Sequence, residues 1–154
     1  GRFVAAMAAN IQNISAGKEV DATPDGRFAG TPLSDAASPY FGRDLKGPTA
    51  FLNSVAVPDY HRVLTGSVIN MRFDPDHFQD EAGAHRFLTF TKAFLAKRIP
   101  ELQFNFTSND TLRAAQQNPD QYKNLVVRVS GFSARYVELA PEVQADILRR
   151  RAHT

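Results

Sequence analysis

Cysteine is absent from this chain of 154 residues. Without thiols the chain can form neither a disulfide nor a thiolate metal site, so its redox compartment cannot be read from cysteine usage. Any chemistry that requires a cysteine must therefore draw that residue from outside these 154 positions.

Long apolar runs and a strong charge of one sign are also missing. No stretch approaches the roughly 18 to 20 apolar residues of a membrane span, and no signal-peptide pattern opens the chain. The net charge of +2 comes from 18 basic and 16 acidic residues, a mixture too even to indicate nucleic-acid binding. The basic run Arg149-Arg150-Arg151 is expected to complement a helix dipole. We therefore expect a soluble, cytoplasmic protein that binds neither nucleic acid nor membrane.

The length suits one domain. With 43% hydrophobic residues the chain can bury a core of its own, so residues 1–154 are predicted to form a single domain. The opening residues Gly1-Arg2-Phe3-Val4 lack an initiator methionine and lead into an apolar run of helical or strand-like character. This pattern indicates a start inside a larger domain.

Hydrophobic periodicity predicts helices alternating with strands, which is typical of an α/β protein. The predicted order is an irregular segment over 17–48, a helix from Gly47-Pro48 that ends at Pro58, a strand over 67–73, a helix over 80–97, a strand over 102–106, a helix capped by Asp110 that runs to Gln117, a strand from Leu125, and a helix opening at Pro141.

Two of these elements have distinct faces. The strand over 67–73 places Ile69, Met71 and Phe73 on one face and Val68, Asn70 and Arg72 on the other. We expect the second face to direct Asn70 at a partner or cavity. The helix over 80–97 has an apolar stripe made by Phe87, Phe90, Phe94 and Leu95. Core packing is the default role for most of the twelve phenylalanines.

The run over 125–136 places Gly131 at the tip of a loop between two apolar segments. The pattern alone favours a turn residue with positive φ. A second reading is chemical. The glycine Cα carries two hydrogens and no side chain, so the loss of one hydrogen leaves a radical that spreads over both flanking peptide groups.

Residues 125–144 resemble the C-terminal signature of the glycyl radical enzymes, which include pyruvate formate-lyase, diol and choline lyases, arylacetate decarboxylases and aryl- and alkylsuccinate synthases. Several spaced blocks in one order are more specific than one motif. The upstream blocks that resemble the family are 23–33, 38–39, 42–44, 47–50, 70–73, 103–105 and 110–113. Phe132 stands where the family usually has tyrosine, and its aromatic bulk is expected to shield the loop while leaving the radical role intact.

The resemblance implies a fold and a set of site residues. The chain would be the C-terminal part of a ten-stranded β/α barrel, with a radical loop at about 128–134 near the barrel centre and the segment 17–48 wrapped over the barrel. Gly131 would be the catalytic, modified residue that stores a buried radical. The loop would be supported by Arg128, Val129, Ser130, Phe132 and Ser133. Arg128 either pins the loop through a charge-assisted bond or is solvated.

The resemblance also implies partners. No cofactor or metal would be bound. An activating enzyme that uses an iron-sulfur cluster and S-adenosylmethionine would install the radical. The glycyl radical would then generate a thiyl radical on a cysteine in the rest of the barrel, and that thiyl would attack a small-molecule substrate. The chain alone should not turn over substrate, and the full enzyme is expected to be a homo-oligomer.

Other candidate groups receive ordinary roles. His61, His77, His85 and His153 lack metal-ligand spacing, so surface or packing roles are expected for them. Asp25, Asp35 and Asp44 could form an acid, base or cation site, but carboxylates in glycine-rich segments commonly cap turns. None of these is predicted to be catalytic.

Three functional hypotheses stay open. The first is a glycyl radical lyase, with an aryl-acid decarboxylase preferred from similarity over 31–44, and a dehydratase, a C–N lyase or an aryl- or alkylsuccinate synthase as alternatives. The second is a stand-alone subunit that replaces the glycine of an oxygen-damaged enzyme. The third is a structural or binding domain without a radical.

Overall fold

The computed structural model describes residues 3–154, so Gly1 and Arg2 of the predicted opening run lie outside the described residues. Residues 3–6 form neither helix nor strand. The first regular pairing is a parallel bridge between Met7 and Ser67. The helical or strand-like opening predicted from the sequence is therefore not seen in the described part of that run.

Helices and strands are interspersed along the chain, and the α/β class predicted from periodicity is confirmed. The α-helices of the described residues are α1 (Gln12–Glu19), α2 (Gly47–Val55), α3 (Glu81–Ala96), α4 (Asn109–Gln117) and α5 (Pro141–Arg149). The strands of the same residues are β1 (Asn70–Phe73), β2 (Gln103–Phe106), β3 (Val126–Arg128), β4 (Ser133–Arg135) and β5 (Ala152–His153).

The strands form one parallel sheet and one hairpin. The sheet has the order β2-β1-β5, with Phe73 opposite Phe106 on one side and His153 on the other. Helix α3 connects β1 to β2, as a parallel pair requires a crossover. Strands β3 and β4 pair antiparallel, with Val127 opposite Ala134. The hairpin places the 130–131 turn beyond the last pair, Arg128 with Ser133.

One face of the sheet is aromatic. Phe73 is 1% exposed, and its ring centroid lies 4.9 to 6.1 Å from five other phenylalanine rings. These partners are Phe78, Phe87, Phe90, Phe104 and Phe106. The stripe predicted on α3 supplies two of them. Leu95 was predicted to share that stripe, but it is 64% exposed. Phe94 packs against this core, and Leu95 is turned about 100° from it around the helix.

A second core lies under the hairpin. Val127 and Val129 point inward from β3 and the residue after it, and both are buried. They pack with residues of α1, α4 and α5 and with Tyr136, which is fully buried. The helix residues of this core are Ile14, Leu112, Ala115, Val143 and Ile147. The hairpin is thereby fixed to the helices through one side, while its tip extends away from them.

The segment 17–48 is irregular only after Glu19, because its first residues complete α1. Gly17 lies in that helix against the segment itself, where an added Cβ would collide with the carbonyl oxygen of Thr31. Farther along, the backbone of Ala37 donates to Val68, 3.0 Å away. The segment therefore crosses in front of residues that were predicted to begin the first strand, and β1 starts only at Asn70.

The cap of α4 also differs from the prediction. Ser108 is the N-cap, and its hydroxyl accepts from the backbone N–H of Thr111 at 3.1 Å. Asp110, predicted as the cap, lies in the first turn. An acid in that position still complements the helix dipole. Serine and aspartate are both good caps, so the local sequence could not separate them.

Within residues 3–154, no helix is long and apolar enough to cross a membrane.

Candidate functional site

Gly131 lies at the tip of the β3–β4 hairpin. Val129 N–H donates to the Phe132 carbonyl at 2.8 Å, which leaves Ser130 and Gly131 as a two-residue turn. Gly131 has φ of +81°, a left-handed backbone conformation that glycine adopts without the steric cost a side chain would bring. The predicted turn geometry is therefore present, and it is compatible with a chemical role at the same Cα.

Gly131 is exposed on the surface of this chain, together with Phe132 and Ser133. An added Cβ would meet only Asn10, whose Oδ1 would lie 2.9 Å away. The burial that the resemblance implies concerns the full barrel. Within this chain Gly131 is exposed, whereas Val129 and Ser130 just before it are buried. Phe132 is 40% exposed.

Strand β2 holds the hairpin through two side chains on one face. Asn105 Nδ2 donates to the Arg128 carbonyl at 2.7 Å, and Asn105 Oδ1 accepts from the Arg128 N–H at 2.6 Å. Gln103 Oε1 accepts from the Gly131 N–H at 3.0 Å. The two amides therefore attach the hairpin to the sheet in place of backbone pairing. Both side chains are buried.

Asp35 supports the turn through a hydrogen bond with Ser130. Its Oδ1 accepts from the hydroxyl of Ser130 at 3.1 Å, and its Oδ2 accepts from Asn70 Nδ2 at 2.7 Å. The same Oδ2 lies 3.2 Å from Arg150 Nη2. Asp35 is 2% exposed. The expectation that this carboxylate caps a local turn is therefore wrong for its side chain, which joins residues distant in the sequence.

Arg150 links the two halves of this support. Its Nη1 donates to the Val129 carbonyl at 2.6 Å, and its Nη2 lies 3.3 Å from Asp146 Oδ2. Burial raises the pKa of Asp146, and the positive charge of Arg150 opposes that rise. The basic run at 149–151 was expected to complement a helix dipole. Arg150 instead points into the protein, because two buried carboxylates compensate its charge.

Arg72 fixes the position of Arg150. Its Nε donates to the Arg150 carbonyl at 3.1 Å, and its Nη2 donates to Asn109 Oδ1 at 2.7 Å. Arg72 is 1% exposed. Desolvation and the nearby charge of Arg150 lower its pKa to about 10. The guanidinium is still charged at neutral pH, and carbonyl and amide oxygens serve as its acceptors.

The predicted support residues of the loop occupy different environments. Arg128 Nε donates to Gln103 Oε1 at 2.9 Å, and its Nη1 lies 3.4 Å from the Ser133 hydroxyl. Val129 and Ser130 are fully buried, whereas Phe132 and Ser133 are exposed. The supporting residues that the sequence reasoning did not connect with the loop are Asp35, Asn70, Arg72, Gln103, Asn105, Asp146 and Arg150. The polar alternation of β1 and β2 was the signal available for four of them.

The four histidines and Asp44, which the sequence offered as further candidates, make none of the hairpin contacts described above. His153 Nε2 lies 3.0 Å from Asp44 Oδ2; the His153 side chain is buried and the Asp44 side chain is partly exposed. His61, His77 and His85 are on the exposed surface. In the described range 3–154, no three His, Cys, Asp or Glu side chains are grouped so that they could hold a metal ion.

Residues 33–137 match the glycine radical family. This range covers more than half of the chain and contains the hairpin, Asp35, and both amides of β2. The chain therefore belongs to the glycyl radical enzyme family, as the resemblance implied.

Individual relatives span several reactions. The isethionate sulfite-lyase of Oleidesulfovibrio alaskensis is 40% identical over 139 residues, which cover 89% of this chain and 17% of that protein. The 4-hydroxyphenylacetate decarboxylase glycyl radical subunit of Clostridioides difficile is 36% identical over 130 residues, which cover 84% of this chain and 14% of that protein.

A solved structure matches along the whole chain. The glycerol-bound B12-independent glycerol dehydratase from Clostridium butyricum superposes with a TM-score of 0.95 and 35% identity. The match covers 100% of this chain and 20% of that one. The chain thus spans about a fifth or less of the length of the relatives it matches.

Proposed function

We propose that this chain is the radical-storing C-terminal portion of an anaerobic glycyl radical lyase, with Gly131 as the radical residue. Residues 1–154 form one domain of that enzyme, and 128–134 form its radical loop. The observation that carries the proposal is the geometry of the turn. An exposed glycine stands at the tip of a hairpin whose turn is held by buried polar side chains.

That geometry suits a residue whose Cα must be reached and then returned to one position. Val129 and Ser130 are fully buried and anchor one side of the turn. Gly131 itself has no side chain to obstruct the removal of a hydrogen atom. Groups that position a reactive centre gain rate by fixing its geometry. We assign this supporting role to Arg128, Val129, Ser130, Phe132 and Ser133.

The radical is installed by an activating enzyme that uses an iron-sulfur cluster and S-adenosylmethionine. A deoxyadenosyl radical removes one hydrogen atom from the Gly131 Cα, which yields deoxyadenosine and the glycyl radical. During turnover the glycyl radical takes a hydrogen atom from a cysteine, which must lie outside these residues because the chain has none. The resulting thiyl radical attacks the small-molecule substrate.

The rest of the enzyme covers the exposed turn. We propose that a ten-stranded β/α barrel places its cysteine opposite Gly131 and excludes water and oxygen there. The complete enzyme is a cytoplasmic homo-oligomer. The 40% exposed ring of Phe132 offers apolar area for this contact, and its burial would favour docking.

The reaction is a lyase reaction on a small molecule. The relatives include a sulfite-lyase, a decarboxylase subunit and a dehydratase, at identities between 35% and 40%. These values are too close to rank the reactions. The aryl-acid decarboxylase preferred from 31–44 is kept as a proposal beside a dehydratase, a C–N lyase and an aryl- or alkylsuccinate synthase.

The test is anaerobic activation of the complete enzyme with its activating enzyme, S-adenosylmethionine and a reductant. An organic radical should be detected by electron paramagnetic resonance in the wild type and be absent in Gly131→Ala. Exposure to air should then cleave the wild-type chain at Gly131, as read by mass spectrometry. A radical that persists in Gly131→Ala, or no radical when a control enzyme is activated, would contradict the proposal.

A replacement subunit is the second candidate. It is favoured by the fact that the contacts described for the hairpin come from residues of this chain itself. The chain, produced alone, would be mixed with an enzyme already cleaved by oxygen at its glycine and then activated. Restored turnover would support this role, and a radical that forms only in the continuous polypeptide would exclude it.

A further inference from the structure

We propose that Gln103 is a positioning residue that tunes the electronic stability of the radical through the N–H of Gly131. The inference rests on the proposed function, because it concerns the radical at that glycine. Gln103 Oε1 lies 3.0 Å from the Gly131 nitrogen, and the side chain is 7% exposed. It contacts one of the two peptide groups over which the radical would spread.

The orientation of the Gln103 amide is determined by its neighbours. Oε1 faces two donors, the Gly131 N–H and Arg128 Nε, the latter at 2.9 Å. On the other side, Nε2 donates to the Glu101 carboxylate. A flipped amide would place its NH₂ against two donors and its oxygen against a carboxylate. The acceptor atom is therefore held toward Gly131.

The hydrogen bond acts on the electrons that stabilise the radical. In a glycyl radical the amide nitrogen donates its lone pair toward the half-filled Cα orbital, while the carbonyl group withdraws density. An acceptor on the N–H increases the electron density at nitrogen and strengthens that donation. Spin density should move from the Cα to the nitrogen. The Gln103 side chain that supplies the acceptor is buried, and a hydrogen bond shielded from water is electrostatically stronger than one in water.

A matched control exists two residues along the same strand. Asn105 is on the same face as Gln103, is equally 7% exposed, and holds the hairpin through the backbone of Arg128. It donates to or accepts from no atom of Gly131. If both residues only held the hairpin in place, their substitution would affect the radical in the same way. If Gln103 also tunes the radical electronically, only its substitution changes the hyperfine couplings.

The test compares Gln103→Met and Asn105→Ala in the complete, anaerobically activated enzyme. Gln103→Met keeps the volume and removes the acceptor. We expect a larger Cα–H hyperfine splitting, a changed coupling of the exchangeable amide proton, and a radical half-life shorter by between about 2-fold and 10-fold. Asn105→Ala should lower the radical yield per protein and leave both couplings at their wild-type values.

A double variant checks the acceptor directly. Glu101→Gln combined with Gln103→Glu exchanges the amide and the carboxylate, so an oxygen again faces Gly131 and Arg128. The wild-type half-life should be retained and the Cα–H splitting should not increase. Gln103→Met could form no radical at all. In that case, a radical in the double variant supports the inference. If neither Gln103→Met nor the double variant forms a radical while Asn105→Ala does, the inference is overturned.

The outcomes separate two failures. A Gly131-dependent radical in the wild type, with unchanged couplings and half-life in Gln103→Met, overturns the role of Gln103 and leaves the proposed function intact. The absence of any Gly131-dependent radical in the wild type removes the proposed function itself, and the inference with it.

Discussion

The two faces of the parallel sheet are built from alternate residues of the same strands, yet they do different things. On one face Phe73, Phe104 and Phe106 pack rings against α3. On the other face Gln103 and Asn105 hold the hairpin by directed hydrogen bonds. One face supplies stability without strict geometry, and the other places a turn at one position.

The difference follows from the nature of the interactions. Apolar packing is non-directional, and cores accept changes that preserve volume. Buried polar groups lose their solvation and regain it only through correctly placed partners. Buried polar groups therefore specify geometry at a cost in desolvation. Asp146 of α5, which bonds to Arg150 near the polar face, illustrates this cost, since burial is the main cause of its raised pKa. Substitutions on the aromatic face should therefore lower the free energy of unfolding without moving the hairpin, whereas substitutions on the polar face should also disturb the hairpin.

The largest effect is expected for Asp35→Ala. Removal of this carboxylate leaves Ser130, Asn70 and Arg150 without a shared acceptor. Breaking a buried ion pair of this kind costs about 3 to 5 kcal/mol of the free energy of unfolding. The radical yield per folded protein should also fall. Urea unfolding and spin quantification of the activated enzyme measure the two quantities.

The control for Asp35→Ala is Asp21→Ala, which removes an exposed carboxylate from the same segment. Its effect should be within about 0.5 kcal/mol. If the two variants unfold alike, the polar face does not depend on Asp35, and the division between the faces is wrong.

The second effect concerns Asn105→Ala. Both backbone groups of Arg128 lose their partner, so we expect a loss of about 2 to 3 kcal/mol. Amide hydrogen exchange at Arg128 should accelerate more than exchange in α3. Uniform acceleration over both elements would mean that the amide supports the whole fold and has no special relation to the hairpin.

The third effect tests the aromatic face. Phe73→Leu removes part of a buried ring, and we expect a loss of about 1 to 2 kcal/mol, less than truncation to alanine would cost. The yield of radical per folded protein should stay at the wild-type level, because Phe73 points away from the hairpin. A fall in yield that matches that of Asp35→Ala would show that the two faces are coupled.

The aromatic face was predicted well from the sequence, because the patterns that identify it lie within single strands and helices. Alternation in the strands and the spacing of Phe87 and Phe90 identify residues on one side of an element. These patterns recur within a few positions along the chain. The same alternation placed Asn70 and Arg72 together on the opposite face but could not name their partners.

The polar face was largely missed because its partners are far apart in sequence. Ser130 and Asp35 are separated by 95 positions, and Asn13 and Asp146 by 133. No periodicity records such a contact, since it depends on how the segment after α1 crosses the sheet. Helix α1 was missed for a related reason. It contains Gly17 and few apolar residues, and the packing of Ile14 supports it.

The smallest effect concerns a polar pair on the aromatic face. His153 lies opposite Phe73 in the sheet, and its Nε2 is 3.0 Å from Asp44. Burial pushes the pKa of Asp44 up, but the hydrogen bond from His153 and nearby positive charges outweigh it, so the pKa lies below its usual 3.8. This carboxylate therefore adds stability above pH 3.8 that is lost as the pH falls through its folded-state pKa. Asp44→Asn should lower the free energy of unfolding by about 1 kcal/mol at neutral pH, and the difference from the wild type should disappear in acid. A difference that is constant with pH would mean that Asp44 acts there through packing, as its aromatic neighbours do.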